Sequence, residues 1–503
     1  MIRFLGYIAI VLVINCGQYV SLAQVTPANR SVLNYRLIGF SVPEQEGVTE
    51  YEFEVYKLTI SDSGTYKEDM IFKKKKLTNK CIELVPGYQT TYTWKVNYYH
   101  GNEKTGSSDI YRFATGYNPF ADTSKYRINV EVNTIKDNDL FFFIDETRCL
   151  YNPQGDPLWY LPDIPGIVDE QTNIRDLKLS PLGTITFLTY TNAYEIDYNG
   201  KVLWQAPNDG RVSGDSTEHY HHEFTRLNNG NYMIACSKKT LKEIPQYVNK
   251  AAFKKDVMTV RGNKSYKYIT FGTIVEYDTS NKIVWLWTSG DHFTDKDLFT
   301  EHPSGALRTQ THFNSFTFDE ESKELLLSFR NISRIVKIKY PSGKEITSYG
   351  ESYNTDKPIQ GDGMFYGQHT PRFNNKGNIY LFNNNNSFTE NGDSARSSSI
   401  IIFKEPVKND EEPTKLWEYK CDLLNLQKPF AAAGGSVFEL NNESILVSMG
   451  DVNCSFVVTP GKVITWKAYT QKYNPAKGWE GFGYGYRNSA IQSHKELSGL
   501  IFK

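Results

Sequence analysis

Asp197-Tyr198-Asn199-Gly200-Lys201-Val202-Leu203-Trp204 and Leu227-Asn228-Asn229-Gly230-Asn231-Tyr232-Met233-Ile234 are two versions of one unit. Each is a polar Asn/Asp/Gly turn that runs into a β-branched or aromatic strand. The unit returns at Ser180-Pro181-Leu182-Gly183, Tyr277-Asp278 to Trp285, Tyr340-Pro341-Ser342-Gly343-Lys344, Phe373-Asn374-Asn375-Lys376-Gly377-Asn378, Leu440-Asn441-Asn442-Glu443-Ser444 and Pro460-Gly461-Lys462-Val463-Ile464-Thr465-Trp466. An x-Asn-Gly-Asn-apolar form alternates with an Asp-x-x-Gly-Lys-apolar-x-Trp form, as two successive hairpins of a four-stranded blade would. Roughly 375 residues at about 45 to 60 per blade give six to eight blades. The reading adopted is all-β: a six-bladed β-propeller over residues 121–503. No part of that region sustains a helical period, which disfavours parallel α/β folds.

Working outward toward the N-terminus, residues 24–120 read differently. Leu84-Val85-Pro86-Gly87-Tyr88 leads into Tyr92-Thr93-Trp94-Lys95-Val96, an alternating strand after a Pro-Gly turn. This resembles the signature of fibronectin type III sandwiches, with Arg112-Phe113-Ala114-Thr115 as the closing strand, so a small β-sandwich is expected ahead of the propeller. The run Lys73 to Lys76 reads as a solvated edge that blocks aggregation rather than a polyanion site. Edge strands of the sandwich offer a surface for a homodimer. Residues 1–23 read as an export signal: Arg3, an apolar stretch from Leu5 to Ile14, and Ser21-Leu22-Ala23 as the cleavage site. Cys16 offers a rival lipoprotein anchor, but Asn15 before it fits that signal poorly. The expectation is an exported, periplasmic or cell-surface protein with no membrane span.

The chain has 503 residues and a formal net charge of −1, so nothing global points to nucleic acid or an anionic membrane. Cys81, Cys149, Cys236, Cys421 and Cys454 follow the signal, without a Cys-x-x-Cys pair, which argues against a zinc site. Export permits disulfides, and an odd count leaves one thiol free or joined to another chain.

Against that frame of strands and turns, the nine histidines stand out. His222 and His369 each precede an Asn-Gly-Asn turn by a few residues. His312 lies in Thr311-His312-Phe313-Asn314-Ser315, and Arg330 ends a buried-looking strand, Glu324 to Phe329. Inner strands of a propeller converge on one axis, so these residues are candidates for a common funnel. A cation at Arg330 needs an anionic partner, either a carboxylate from another blade or a bound oxyanion. Three histidines are also a metal-ligand set, although a guanidinium in the cluster would repel the ion. His221, His219 and His292 rank lower, at the surface or behind the site, with His221 the one placed against substrate. Asn383 to Asn386 reads as a polar turn, and Trp479 to Tyr486 as a cap or the border of an aromatic pocket.

With these residues quoted, the chain resembles the bacterial arylsulfate sulfotransferases. His221-His222-Glu223-Phe224, His312-Phe313-Asn314-Ser315, Ser328-Phe329-Arg330 and Gly367-Gln368-His369-Thr370-Pro371 occur in the family's order, and Asp291-His292-Phe293 before Thr311-His312 resembles its linking loop. The resemblance covers about residues 125–500. Glu223 stands where many members have aspartate, and Asn383-Asn384 where an Asp-Asn pair is usual. The resemblance implies transfer of a sulfuryl group from a phenolic sulfate donor to a phenol acceptor, without a nucleotide donor, a metal or another cofactor. It implies His369 as a nucleophile that forms a sulfohistidine in a ping-pong cycle, and Arg330 as the clamp on sulfuryl oxygens. His222 is then the acid/base, with His312 and Asn314 as ligands of the sulfuryl group. The family's disulfide is not placed on Cys421 or Cys454. Two other classes stand beside this one: a non-catalytic propeller that binds sulfated ligands, and a histidine-metal lyase or hydrolase.

Overall fold

The computed structural model describes residues 25–60, 66–248, 258–299, 311–352, 359–386, 397–408 and 411–503. The export signal, with Cys16, lies outside the described residues. Half of the chain is strand and 7% is helix, so the protein is nearly all β. No helix among the described residues is long and apolar enough to cross a membrane. Cys81, Cys149, Cys236, Cys421 and Cys454 are free thiols, all buried.

The chain divides into two compact units. The smaller takes residues 38–85 and 89–114 with the segment before 33. Glu50–Ile60 lies between Tyr66–Lys76 and Thr91–His100 in an antiparallel sheet, and Leu37–Ser41 pairs with Lys80–Leu84 in a second. Phe40 joins the two, packing edge-on against Trp94 at 5.2 Å and Phe113 at 5.9 Å. Tyr66–Lys76 is an edge strand, and its lysines are answered by acids: Lys73 by Glu52 and Glu54, Lys74 by Glu83, Lys75 by Glu50.

The larger unit is a succession of antiparallel meanders. The first strands of five of them are Arg175–Leu179, Tyr220–Arg226, Phe313–Asp319, His369–Phe373 and Ser436–Glu439. Asn488–Ile491 occupies the same place in a sixth sheet, where it pairs with Phe141–Ile144 from the other end of the unit. These six strands touch in sequence order, and Asn488–Ile491 returns to Arg175–Leu179, so they close a ring. The turns are those read from the sequence: Asp197 N–H bonds Lys201 O, Leu227 bonds Asn231, and Asn374 bonds Asn378.

The tryptophan in the repeat has a structural task. Each recurring indole N–H reaches forward to a carbonyl or amide oxygen in a turn of the next sheet. Trp159 bonds Tyr198 O, Trp204 bonds Asn281 Oδ1, Trp285 bonds Pro341 O, Trp417 bonds Pro460 O and Trp466 bonds Pro153 O, all between 2.6 and 2.9 Å. The meander that begins with Phe313–Asp319 has no such tryptophan, and Tyr349 bonds Glu405 there at 2.5 Å. Neighbouring sheets are thus clasped at their outer strands and packed on apolar faces, such as Leu325, Leu327 and Phe329 against Met233 and Ile274.

Candidate functional site

Counting back from the turn bonds, His222 and His369 stand at the same interval before Leu227 and Asn374, as does Arg175 before Ser180. Repetition of the strand therefore brings three equivalent positions toward the ring axis. In each strand the pairing register slips at this point, between Arg175 and Lys178, Tyr220 and Phe224, and His369 and Arg372. A bulge turns side chains that would otherwise alternate. Left-handed backbone marks it at Asp176 (φ 54), His222 (φ 66) and Thr370 (φ 47), and at His312 (φ 54) just before its strand. For a β-branched residue such as Thr370 that conformation is strained. Its hydroxyl accepts the Val437 N–H at 3.1 Å, which holds it there.

His369 is buried, and its Nδ1 lies 2.6 Å from Asn384 Oδ1. The Asn384 Nδ2 faces two carbonyl oxygens, Ala431 O at 2.9 Å and Gly434 O at 2.8 Å. Carbonyls only accept, so the amide orientation is fixed and Oδ1 must face the histidine. Oδ1 also only accepts, so Nδ1 carries the hydrogen and Nε2 the lone pair. Asn384 is therefore part of the site, which corrects the reading of Asn383 to Asn386 as a mere polar turn. A buried amide with all its bonds made is indistinguishable in sequence from a turn asparagine.

The other histidines gather beside it. The His222 ring lies 5.4 Å from His312 and 5.3 Å from Tyr486, edge-on to both. His222 Nδ1 is 2.6 Å from His221 Nδ1, and His221 Nε2 is 2.7 Å from Ser237 Oγ. One of the two Nδ1 atoms must carry the hydrogen and the other must be bare. His219 meets Asp215 at the partly exposed edge of the cavity that His221 and His222 also line, and His292 stacks on Trp287. Burial lowers the pKa of all four site histidines, pushing His221 down to about 3 and His312 to about 4, with His222 and His369 well below the usual value. After burial, the Arg330 charge is the next cause at His312 and His369, and His221 and His312 are the next at His222. Near neutral pH the row is uncharged.

Arg330 N–H bonds His312 O at 3.0 Å, which sets its side chain next to that histidine. Its guanidinium reaches Ala432 O at 2.9 Å and Asn331 Oδ1 at 3.2 Å. Asn314 is fully buried; its Nδ2 donates to Gln368 O at 2.8 Å and its Oδ1 finds no hydrogen-bond donor. Behind the row lies an ionic cluster. Arg487 bonds Glu223, Asp176 (3.1 Å) and Asn314 O (3.1 Å), and Lys178 bonds the same two carboxylates at 2.7 and 2.8 Å. Burial opposes ionisation of both acids; at Glu223 the Arg487 and Lys178 charges prevail and hold it at about 2, while Asp176 is raised. Tyr486 donates to Asn314 O at 3.2 Å, and burial pushes its phenol pKa up, so it stays a donor. Tyr486 thus belongs to the site rather than to a cap.

A cavity of about 320 Å³ opens onto His221, His222 and His312, with Arg175, Tyr190, His219 and Ser237 also among its walls. Arg175, Asn384 and Arg487 were not legible as site residues. Arg175 had a usable signal, its interval before a turn already recognised as part of the repeat.

Among solved structures, the chain is similar to a protein of unknown function from Bacteroides caccae (12% identity over 74% of this chain and 100% of that one, TM-score 0.38). It is also similar to a Pseudomonas aeruginosa periplasmic gluconolactonase (8%, 73% and 99%, TM-score 0.35) and to virginiamycin B lyase from Staphylococcus aureus (12%, 69% and 85%, TM-score 0.32). No curated protein matches the chain. The model of the arylsulfotransferase (ASST) family matches residues 114–477, a stretch that contains every histidine of the row together with Arg330 and Asn314, and the chain belongs to that family.

Proposed function

We propose that this protein transfers a sulfuryl group from a phenolic sulfate ester to a second phenol, in two steps through a sulfohistidine at Nε2 of His369. The observation that carries the reading is the fixed Asn384 amide, which leaves the Nε2 lone pair of a neutral, buried imidazole free to attack. In the first step the N–S bond forms and the aryl S–O bond breaks; the departing phenoxide takes a proton from Nε2 of His222. In the second, a new phenol gives its proton back to His222 while its oxygen attacks sulfur and the N–S bond breaks. Splitting one transfer into two in this way is covalent catalysis, with ping-pong kinetics.

Arg330 supplies fixed positive charge to the sulfuryl oxygens, with the His312 imidazole and the second Nδ2 hydrogen of Asn314 as further ligands. His222 does not carry the resulting charge alone, because His221 and Ser237 line up behind it. When His222 gives its Nε2 proton to the phenoxide, the shared hydrogen passes from His221 Nδ1 to His222 Nδ1 and the negative charge is left toward His221 and Ser237; the proton from the acceptor phenol later returns to Nε2 and restores the neutral row. Nothing in these steps draws on a nucleotide, metal or other cofactor. We further read the six-membered ring of strands as a six-bladed β-propeller spanning about 121–503, preceded by a β-sandwich at 24–120 and an export signal at 1–23. Homodimerisation through the sandwich edge belongs to the same reading.

The test is phenol release from a chromogenic aryl sulfate, with and without added acceptor phenol, in wild type and His369→Ala. Release that depends on acceptor and falls by roughly 10⁴-fold or more in the variant is expected. Release that ignores acceptor makes the protein a sulfatase. No release from folded protein favours a binding module.

A further inference from the structure

Two arginines stand at opposite ends of the histidine row. Arg330 adjoins His312, and its charge acts on His312 and His369. Arg175 lies on the other side: its guanidinium sits 5.3 Å from the Tyr486 ring centre, and that ring is 5.3 Å from His222. Its charge acts on His221 and His222. With the sulfuryl group held at His369 and Arg330, a donor whose aryl part lies in the cavity walled by His222 and His312 meets Arg175 in the same wall.

Arg175 also differs from Lys178, Arg372 and Arg487, which all meet Glu223. Arg175 meets neutral groups: Asn173 Oδ1 at 3.2 Å and the hydroxyl of Tyr190 at 2.8 Å, with the Tyr190 ring 4.6 Å from its guanidinium carbon. It forms no ion pair among the described residues, and none of the described side chains lining the cavity is a carboxylate. Tyr190 is 65% exposed, so the pair stands at the mouth of the cavity and the guanidinium keeps donors for a ligand.

We propose that Arg175, flanked by Tyr190 and Tyr486, forms a second anion subsite that selects aryl sulfates and phenols bearing a carboxylate on the ring or a short side chain. The proposal rests on the sulfotransfer reading for the chemistry at His369 and adds a substrate class to it. A carboxylate meets a planar guanidinium in a charge-assisted, two-pronged contact, while the two tyrosine rings border the aromatic body.

The experiment compares para-sulfooxybenzoate with para-nitrophenyl sulfate as donors to a common acceptor, in wild type, Arg175→Gln and Arg175→Lys. The ratio of kcat/KM for the carboxylated over the uncharged ring is expected to fall roughly 10- to 100-fold in Arg175→Gln, mainly through KM, the size expected for a hydrogen bond to a charged group. Arg175→Lys should recover part of that ratio. An unchanged ratio overturns the proposal, including the case in which both donors decline together because Arg175 serves the sulfuryl group or the fold. A binding arm keeps the subsite separate from the chemistry. Calorimetry with para-hydroxybenzoate and its uncharged isostere para-hydroxybenzamide should show tighter binding of the acid to wild type, with the preference lost in Arg175→Gln. If neither donor turns over but that preference is found, the sulfotransfer reading fails and the subsite stands; equal binding of acid and amide removes the subsite.

Discussion

Asn384 acts on the reaction through the histidine it holds. Replacing it with leucine removes the fixed acceptor, frees both tautomers and leaves two carbonyls without donors. Turnover should fall on the order of 100-fold, with donor KM moving far less. Asn384→Asp is more telling. A carboxylate beside Nδ1 favours the imidazolium, so the acidic limb of the kcat/KM profile should move to higher pH, as a titration of donor turnover would show. The same row makes the fold sensitive to acid. A histidine kept neutral when folded but free to protonate near pH 6.5 when unfolded lowers stability as pH falls, down to about 4 at His312 and about 3 at His221. Asp145 and Glu146, raised chiefly by burial to about 7 and about 8, work in the opposite sense. Each such histidine takes up about one proton on unfolding across pH 6.5 to 4.5, worth about 1.4 kcal/mol per pH unit, and the raised carboxylates, Asp176 and Glu439 included, offset part of it. Thermal melts across that range should show His312→Gln gaining stability relative to wild type as pH falls. His222, His312, Arg330 and His369 were legible because histidine and arginine are unusual beside apolar strands. Asn384 and Arg487 were not, because their meaning lies in partners far along the chain.

At the scale of the element, the repeat predicts what a tryptophan is worth from where its ring lies. Trp204 stacks on Tyr232 at 3.7 Å and is largely buried, whereas Trp285 is half-buried. Trp204→Ala should cost about 3–5 kcal/mol in denaturant unfolding, the range for deleting a large buried ring. Trp204→Phe keeps an aromatic ring there but loses the N–H bond to Asn281, at about 1 kcal/mol. Trp285→Ala should cost less than Trp204→Ala. The turns were legible because Asn, Asp and Gly answer local backbone needs. The pairing of Asn488–Ile491 with Phe141–Ile144 was not, because nothing local marks a strand whose partner lies at the far end of the unit. The bulges that aim His222 and His369 were also hidden: Thr370 is a poor residue for left-handed backbone, held there by its bond to Val437.

The whole molecule joins stability to function through Arg487. It bonds Asp176 and Glu223 from two first strands of the ring and Asn314 from a third, so one guanidinium ties three sheets together. Arg487→Met leaves two buried carboxylates with Lys178 as the cation bonded to both, and should cost about 3–5 kcal/mol. Chemical denaturation would measure this, with activity falling in the same variant because Asn314 loses a support. Tyr486 and Arg487 also sit directly ahead of the strand that closes the ring. A ribosome must therefore deliver the chain as far as this strand before the ring can close. A product cut short before Tyr486 has the row of histidines in its sequence but lacks the strand and the guanidinium that hold it together.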